Sequence, residues 1–269
     1  MMGKKLGEGN TAEVYLWKDN NILKLFRDNF PKDEAEREFR INKAVEKLGL
    51  PIPEAGEIIE LNGRKGITYE RISGMSMLDF IAKKPMSVRK YGYQLAGMHY
   101  KIHQCKVPGL PCYKENLERK IRKTGFLTEE QKDAVLKVLK ELPEGDTLCH
   151  GDFHPGNIMI DNDRLVILDW LTAAAGCPAA DAARTLMLIK DAAVPGNIPG
   201  FIRILINLGR RRLADAYLNY YRELSGITED EINQWRLPMI AARLTEWIPD
   251  IEKDRYLKEI RKILQQERK

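Results

Sequence analysis

Apolar and polar residues alternate from the start of the chain. Ala12, Val14 and Leu16 interleave with Glu13, Tyr15 and Trp17, the period of two expected of a strand with one buried face. Asp19-Asn20-Asn21 supplies turn chemistry, and a second extended run, Ile22 to Phe26, follows it, so the pair reads as an antiparallel hairpin. A helix is predicted from about Glu34 to Leu48, since Pro51 and Pro53 prevent its continuation. Two further strands, Glu57 to Leu61 and Lys65 to Tyr69, flank Asn62-Gly63, a dipeptide that suits the positive φ values of a tight hairpin turn.

From Ser76 onward the period becomes helical. Leu95, Met98 and Ile102 share one face, as do Val135, Val138, Leu139 and Leu142, and Thr128 to Gln131 resembles a capping box at the start of the second of these helices. One strand pair interrupts the helices, Asn157 to Ile160 and Leu165 to Leu168, joined by Asp161-Asn162-Asp163. After Asp181 the pattern is helical throughout. The expected fold class is therefore α+β: a small antiparallel-sheet lobe over residues 1–71, a larger and mainly helical lobe over 72–269, and a cleft between them for a ligand.

Composition narrows the class. The 269 residues are 43% hydrophobic and 31% charged, which suits an ordinary globular protein. No apolar run reaches the roughly 20 residues of a membrane span, and the opening Met1-Met2-Gly3-Lys4-Lys5 lacks a secretory apolar stretch. A cytoplasmic protein with no membrane partner is the expectation. Cys105, Cys112, Cys149 and Cys177 form no CxxC pair, so neither a disulfide framework nor a zinc ribbon is expected. The net charge of +5 is dispersed, which argues against a nucleic-acid groove. The dense run Arg210-Arg211-Arg212 reads as a solvated helix start.

The candidate chemistry lies in Cys149-His150-Gly151-Asp152-Phe153-His154-Pro155-Gly156-Asn157, followed after a hairpin by Val166-Ile167-Leu168-Asp169-Trp170. Phosphoryl transfer needs a carboxylate to orient and deprotonate a hydroxyl, and oxygen ligands to hold Mg²⁺ against the phosphates. Asp152, Asn157 and Asp169 supply that set. The spacing from Asp152 to Asn157 matches the protein-kinase catalytic loop. A zinc helix built on His150 and His154 is disfavoured by Gly151, Pro155 and Gly156, and a bracing role for His150 fits better. Upstream, Leu6 to Val14 follows the glycine-rich kinase loop through Gly7 and Gly9, with Ala12 in place of the last glycine. Lys24 stands on the next strand, where a fixed positive charge would face phosphates, and Glu34, Glu36 and Glu38 compete as its partner.

These motifs resemble the aminoglycoside phosphotransferase and choline kinase superfamily, whose catalytic loop reads H-G-D-x-x-x-x-N and whose metal motif reads I-D-W or close to it. The resemblance spans roughly Leu6 to Asp181 and thins out in the C-terminal helices. It implies a bilobal protein-kinase-like fold, with Asp152 as catalytic base and Asn157 and Asp169 as Mg²⁺ ligands. It selects Glu38 as the partner of Lys24, and it places the backbone of Glu70 and Ile72 in a hinge that carries the purine, with Tyr69 as a bulky border. ATP or GTP is the implied donor. Asp181 is implied to bond the catalytic-loop backbone, and Cys177 departs from the family's usual G-D-P-x-x-D.

The short stretch from Asp169 to Asp181 lacks a Ser/Thr-containing activation segment and an A-P-E motif, which disfavours a regulated protein kinase. The expected partners are a nucleotide and a small hydroxylated acceptor, in a monomer or homodimer. Glu246, Trp247 and Asp250 are candidate acceptor residues, able to meet a cation by charge and cation–π contact, or else the solvated start of a helix. Two alternatives stand beside the small-molecule kinase: an atypical protein kinase, and a catalytically silent nucleotide-binding scaffold.

Overall fold

The computed structural model describes residues 2–9, 11–31, 33–193 and 198–266. Along the chain the elements are β1 (Lys5–Glu8), β2 (Ala12–Leu16), β3 (Ile22–Phe26), α1 (Glu34–Glu46), β4 (Ala55–Leu61), β5 (Arg64–Tyr69), β6 (Met75–Ser76), α2 (Met77–Lys83) and α3 (Val88–His103). They continue with α4 (Tyr113–Lys123), α5 (Glu129–Glu141), β7 (Thr147–Cys149), β8 (Ile158–Asp161), β9 (Arg164–Ile167), β10 (Ala174–Gly176) and α6 (Pro178–Asp191). The last four are α7 (Gly200–Ser225), α8 (Glu229–Asn233), α9 (Arg236–Arg243) and α10 (Asp250–Gln266).

The chain divides into two compact units. The first holds Met1–Phe80 and Gly156–Thr172, and the second holds Ile81–Pro155 and Ala173–Lys269. In the first, five antiparallel strands run in the order β1-β2-β3-β5-β4. The predicted hairpin is in register from Ala12 opposite Phe26 to Leu16 opposite Ile22. Asn62 and Gly63 both take positive φ (51° and 77°) in the β4–β5 turn, as an Asn-Gly hairpin requires. Helix α1 lays Ala35, Ile41 and Val45 against the sheet, and its core includes Ala12, Phe26, Ala55, Ile67 and Tyr69. Strand β1 was not foreseen: the glycine-rich segment itself pairs with β2. A second sheet, β6-β8-β9, completes this unit.

In the second unit the central helix is α6, buried on nearly every side. The run Ala179, Ala180, Ala182 and Ala183 keeps its surface small enough for close neighbours. The β7–β10 pair leads into it. Helix α3 packs along the C-terminal half of α7. At Gly92 the two backbones approach so closely that a Cβ would lie 2.6 Å from Ala216 Cβ and 3.0 Å from Leu213 O. Thr128 caps α5 in a full capping box with Gln131, as its sequence signature predicts. The arginine run 210–212 proves to lie in the middle of α7 rather than at a helix start.

Candidate active site

The first unit gathers three of the predicted charged residues. Lys24 on β3 donates to both carboxylate oxygens of Glu38 at 2.8 Å, and to Asp169 Oδ1 at 2.9 Å. Among the three competing glutamates, Glu38 is the one that meets Lys24, because it falls on the face of α1 turned to the sheet and is 2% exposed. Two further bonds fix it. Tyr69 Oη donates to Glu38 Oε1 at 2.8 Å, and Asn42 Nδ2 donates to Tyr69 Oη at 3.0 Å. Burial lowers the ammonium's pKa, but the charges of Asp169 and Glu38 outweigh it and hold Lys24 above its usual range. Tyr69, expected to border a base pocket by its bulk, is buried and anchors the ion pair.

Asp169 adopts φ 60°, a left-handed conformation that a residue with a Cβ rarely takes and that marks functional sites when the surroundings enforce it. Here they do: β9 ends at Ile167, Leu168 N donates to Asn157 O at 2.8 Å, and Lys24 holds the Asp169 side chain. The Asp169 carboxylate remains 39% exposed. Asn157 ends a short 3₁₀ turn from Pro155 and enters β8 directly.

Gly7 lies in β1, and Gly9 N donates to Ala12 O at 2.8 Å across the turn. A Cβ on Gly7 would meet nothing within 4 Å, and one on Gly9 only Ala12 O at 3.9 Å, so open space lies over both. Asn10, within the same motif, lies outside the described residues. Glu70 N donates to Glu54 O at 2.9 Å. Ile72 follows in an irregular segment.

In the second unit the loop around Asp152 is pinned to α6. His150 N donates to Asp181 Oδ2 at 2.6 Å and Gly151 N to Asp181 Oδ1 at 2.9 Å, while Gly151 takes φ 77°. His150, fully buried, accepts from Asp152 N through Nδ1 at 3.2 Å, the bracing role its setting predicts. Thr185 Oγ1 donates to Phe153 O at 2.8 Å. Arg184 donates to Gly151 O at 3.2 Å through Nε, and through Nη2 to Asp152 Oδ1 at 3.4 Å and Glu246 Oε2 at 2.9 Å. Burial raises the Asp152 pKa, but the hydrogen bond from His154 and the Arg184 charge prevail, so Asp152 sits well below the usual carboxylate range. It is an anion at neutral pH.

Arg184 and Thr185 were not singled out from the sequence. The available signal was spacing: they stand three and four residues after Asp181 on one helix, and so share its face. Of the candidate acceptor residues, Glu246 is engaged by Arg184, by Lys120 at 3.0 Å and by Arg243. Its carboxyl is pulled up by burial and further down by Arg184 and Lys120, ending below its usual range. Trp247 is 88% exposed and lines a pocket of about 750 Å³ with Phe126, Glu246, Ile248 and Lys253. Asp250 opens α10, exposed and, among the described residues, paired only with Lys253 at 3.2 Å.

A model described as "Phosphotransferase enzyme family" matches residues 3–227. No curated protein matches the chain by sequence. Solved structures share the fold. A thermostable mutant of aminoglycoside phosphotransferase APH(4)-Ia superposes with TM-score 0.67 at 16% identity, over 99% of this chain and 94% of that one. The amicoumacin kinase hAmiN, in complex with AMP-PNP, Ca²⁺ and Ami, gives TM-score 0.63 at 16% identity, over 96% and 87%. The streptomycin–ATP–APH(2")-IIa ternary complex gives 0.60 at 14%, over 97% and 91%.

Proposed function

The chain belongs to the phosphotransferase enzyme family, and we propose that it transfers the γ-phosphate of ATP or GTP to a hydroxyl of a small molecule in a Mg²⁺-dependent reaction. The observation that carries this reading is the Lys24–Glu38–Asp169 assembly. A buried ammonium is held by one fully enclosed carboxylate and by a second, strained one that keeps exposed surface. A purely structural ion pair has no need of the third member or of its left-handed backbone.

Lys24 would fix the α- and β-phosphates, with Glu38 orienting it. Gly7 and Gly9, with open space above them, would let backbone amides approach the phosphates. The Glu70 carbonyl and the Ile72 amide would read the purine edge. Asn157 and Asp169 offer an amide oxygen and a carboxylate, the hard-oxygen donor set that suits Mg²⁺. When bound, that ion would neutralise charge on the phosphates. Asp152, ionised and oriented by Arg184, would align the acceptor hydroxyl and take its proton as the oxygen–phosphorus bond forms.

For the acceptor, the pocket lined by Trp247 and Phe126 is the favoured location, since Glu246 on its wall shares Arg184 with Asp152. Three cations already occupy Glu246, and Lys253 lies 5.2 Å from the Phe126 ring centre. This environment suits a neutral hydroxylated molecule with an apolar or planar face better than a polycation. The streptomycin complex and the amicoumacin kinase among the structural neighbours make hydroxylated antibiotics natural members of a test panel.

The test is nucleoside-diphosphate release with ATP and GTP across sugars, nucleosides, amino alcohols, macrolides and aminoglycosides. Silence with every acceptor would remove the catalytic reading in favour of the scaffold. With an acceptor in hand, Asp152→Asn should lower kcat at least ~100-fold, within the usual range for losing a general base, with Mg-nucleotide affinity nearly unchanged. Asp169→Ala should weaken Mg-nucleotide binding itself. Equal loss of binding in both variants would contradict the assigned roles.

A further inference from the structure

Helix α7 has two halves of opposite character. From Leu213 to Tyr221 it is packed, with Leu213, Ala214, Ala216, Tyr217, Leu218 and Tyr221 all buried. From Gly200 to Arg212 most of it is exposed among the described residues, with only Ile206, Gly209 and Arg210 partly covered and Arg210 donating to Ala192 O, although its sequence, Phe201-Ile202-Arg203-Ile204-Leu205-Ile206-Asn207-Leu208, is largely apolar. Phe201 is 67% exposed, Ile204 68% and Leu205 61%. At about 100° per residue the apolar side chains from 201 to 208 occupy an arc of about 200°. Arg203, Asn207, Arg210 and Arg211 occupy the opposite arc.

The charge of this half is one-sided. From Ile198 to Ala214 there are four arginines and no Asp or Glu. Arg211 and Arg212 are exposed and take part in no ion pair among the described residues. A wide apolar arc with a basic arc opposite it is the composition of helices that lie in the surface of a bilayer, with acyl chains against the apolar face and lipid phosphates reached by arginines at its border, here Arg211. Arg212 projects within the apolar arc at its inner end, from where a long side chain reaches the headgroups.

We propose that residues 200–212 of α7 dock the protein on an anionic lipid surface. A second copy of the chain is the less favourable occupant, because pairing this apolar arc with itself brings Arg212 of each copy into the contact with no acidic residue from either segment to oppose it. The sequence-based expectation of no membrane partner rested on the lack of a spanning run. No described helix is long and apolar enough to cross a membrane, and an interfacial helix does not need to be.

The test is sedimentation of the full chain with phosphatidylcholine vesicles and with mixed phosphatidylcholine–phosphatidylglycerol vesicles. Binding to the mixed vesicles alone is expected, and it should fall sharply in about 1 M salt, where the screening length is about 3 Å. Arg211→Gln with Arg212→Gln should weaken it about 25-fold, from about fivefold per basic residue near an anionic surface. Ile204→Glu with Leu205→Glu, at exposed positions, should abolish it and leave the circular dichroism and thermal transition unchanged. No binding by the wild-type chain, equal binding to both vesicle types, or unchanged binding by either double variant would each overturn the proposal. So would a concentration-dependent dimer that Ile204→Glu with Leu205→Glu dissociates.

Discussion

Arg184 shows how one buried side chain can decide the state of several others. Only 6% exposed, it compensates Asp152 and Glu246 together and caps the Gly151 carbonyl. Burial lowers its pKa, but Glu246 and Asp152 hold it well above the ordinary range. Removing it takes the guanidinium from Asp152 and leaves Glu246 with Lys120 and Arg243 alone among the described residues. Arg184→Met should therefore cost about 3–5 kcal/mol of stability in denaturant titrations, the range for breaking a buried pair. Arg184→Lys should recover only part, since one compact ammonium nitrogen cannot reach the separated acceptors that the guanidinium meets through Nε and Nη2. A loss under 1 kcal/mol in Arg184→Met would show the network to be unimportant. At this scale the sequence singles out residues where chemistry is bound to spacing, as in Asp152, Asn157 and Asp169, whose roles are the proposal made above. It was silent where a residue acts across the fold. Nothing in the order of residues links Arg184 to Glu246, and nothing distinguishes the Glu246 carboxylate, neutralised by three cations, from an open binding group.

At the scale of elements, strands with alternating faces and turns with special φ were read correctly, because both signals are local. The β4–β5 hairpin follows from Asn62-Gly63 alone. Strand β1 and the short β6, β7 and β10 escaped because strands of two to four residues carry too little period to detect. β6, β7 and β10 depend moreover on partners distant in sequence, such as β7 for β10. The α3–α7 interface is likewise tertiary, and Gly92 is its closest point. A methyl group there meets Ala216 Cβ and the Leu213 carbonyl, both attached to a helix that cannot yield locally. Gly92→Ala should destabilise by about 1–3 kcal/mol through overpacking, despite alanine's better helix propensity of about 1 kcal/mol. A rise in the thermal midpoint would show that the helices can separate at no cost. Ala216→Gly should relieve the clash in the double variant, a coupling that a helix-propensity effect alone would not produce.

For the whole molecule, composition supported a globular enzyme, and the dispersed charge gave no hint that the first half of α7 gathers four arginines free of acids. The average conceals the arrangement. Stability against acid is also a global property, and it should converge on the buried cluster around Asp181. That carboxylate accepts from His99 Nε2 at 3.0 Å and His103 Nε2 at 3.3 Å. Because an ionised carboxylate can only accept, both rings carry their proton on Nε2, and Nδ1 accepts from Tyr217 in one and Tyr221 in the other. Burial, then the neighbouring His103, lowers His99 to about 3, against the opposing pull of Asp181. Asp181 lies well below its ordinary value, since the two histidines outweigh its burial. In the unfolded chain His99 titrates near 6.5 and Asp181 near 3.9. The unfolded state therefore binds the extra proton first at His99 as pH falls from about 6.5 towards 3, and at Asp181 below about 4. Both displacements remove stability in acid, and His99 alone contributes a slope of up to about 1.4 kcal/mol per pH unit across its window. Denaturant titrations between pH 7 and pH 4 should show that loss. His99→Gln, less stable at pH 7 because it disrupts the network, should show a flatter dependence over the same interval. Parallel pH profiles for the two proteins would mean that His99 takes up its proton in the fold as readily as in the open chain, and that the carboxylate beneath the Asp152 loop is held by the backbone amides of His150 and Gly151 without help from the rings.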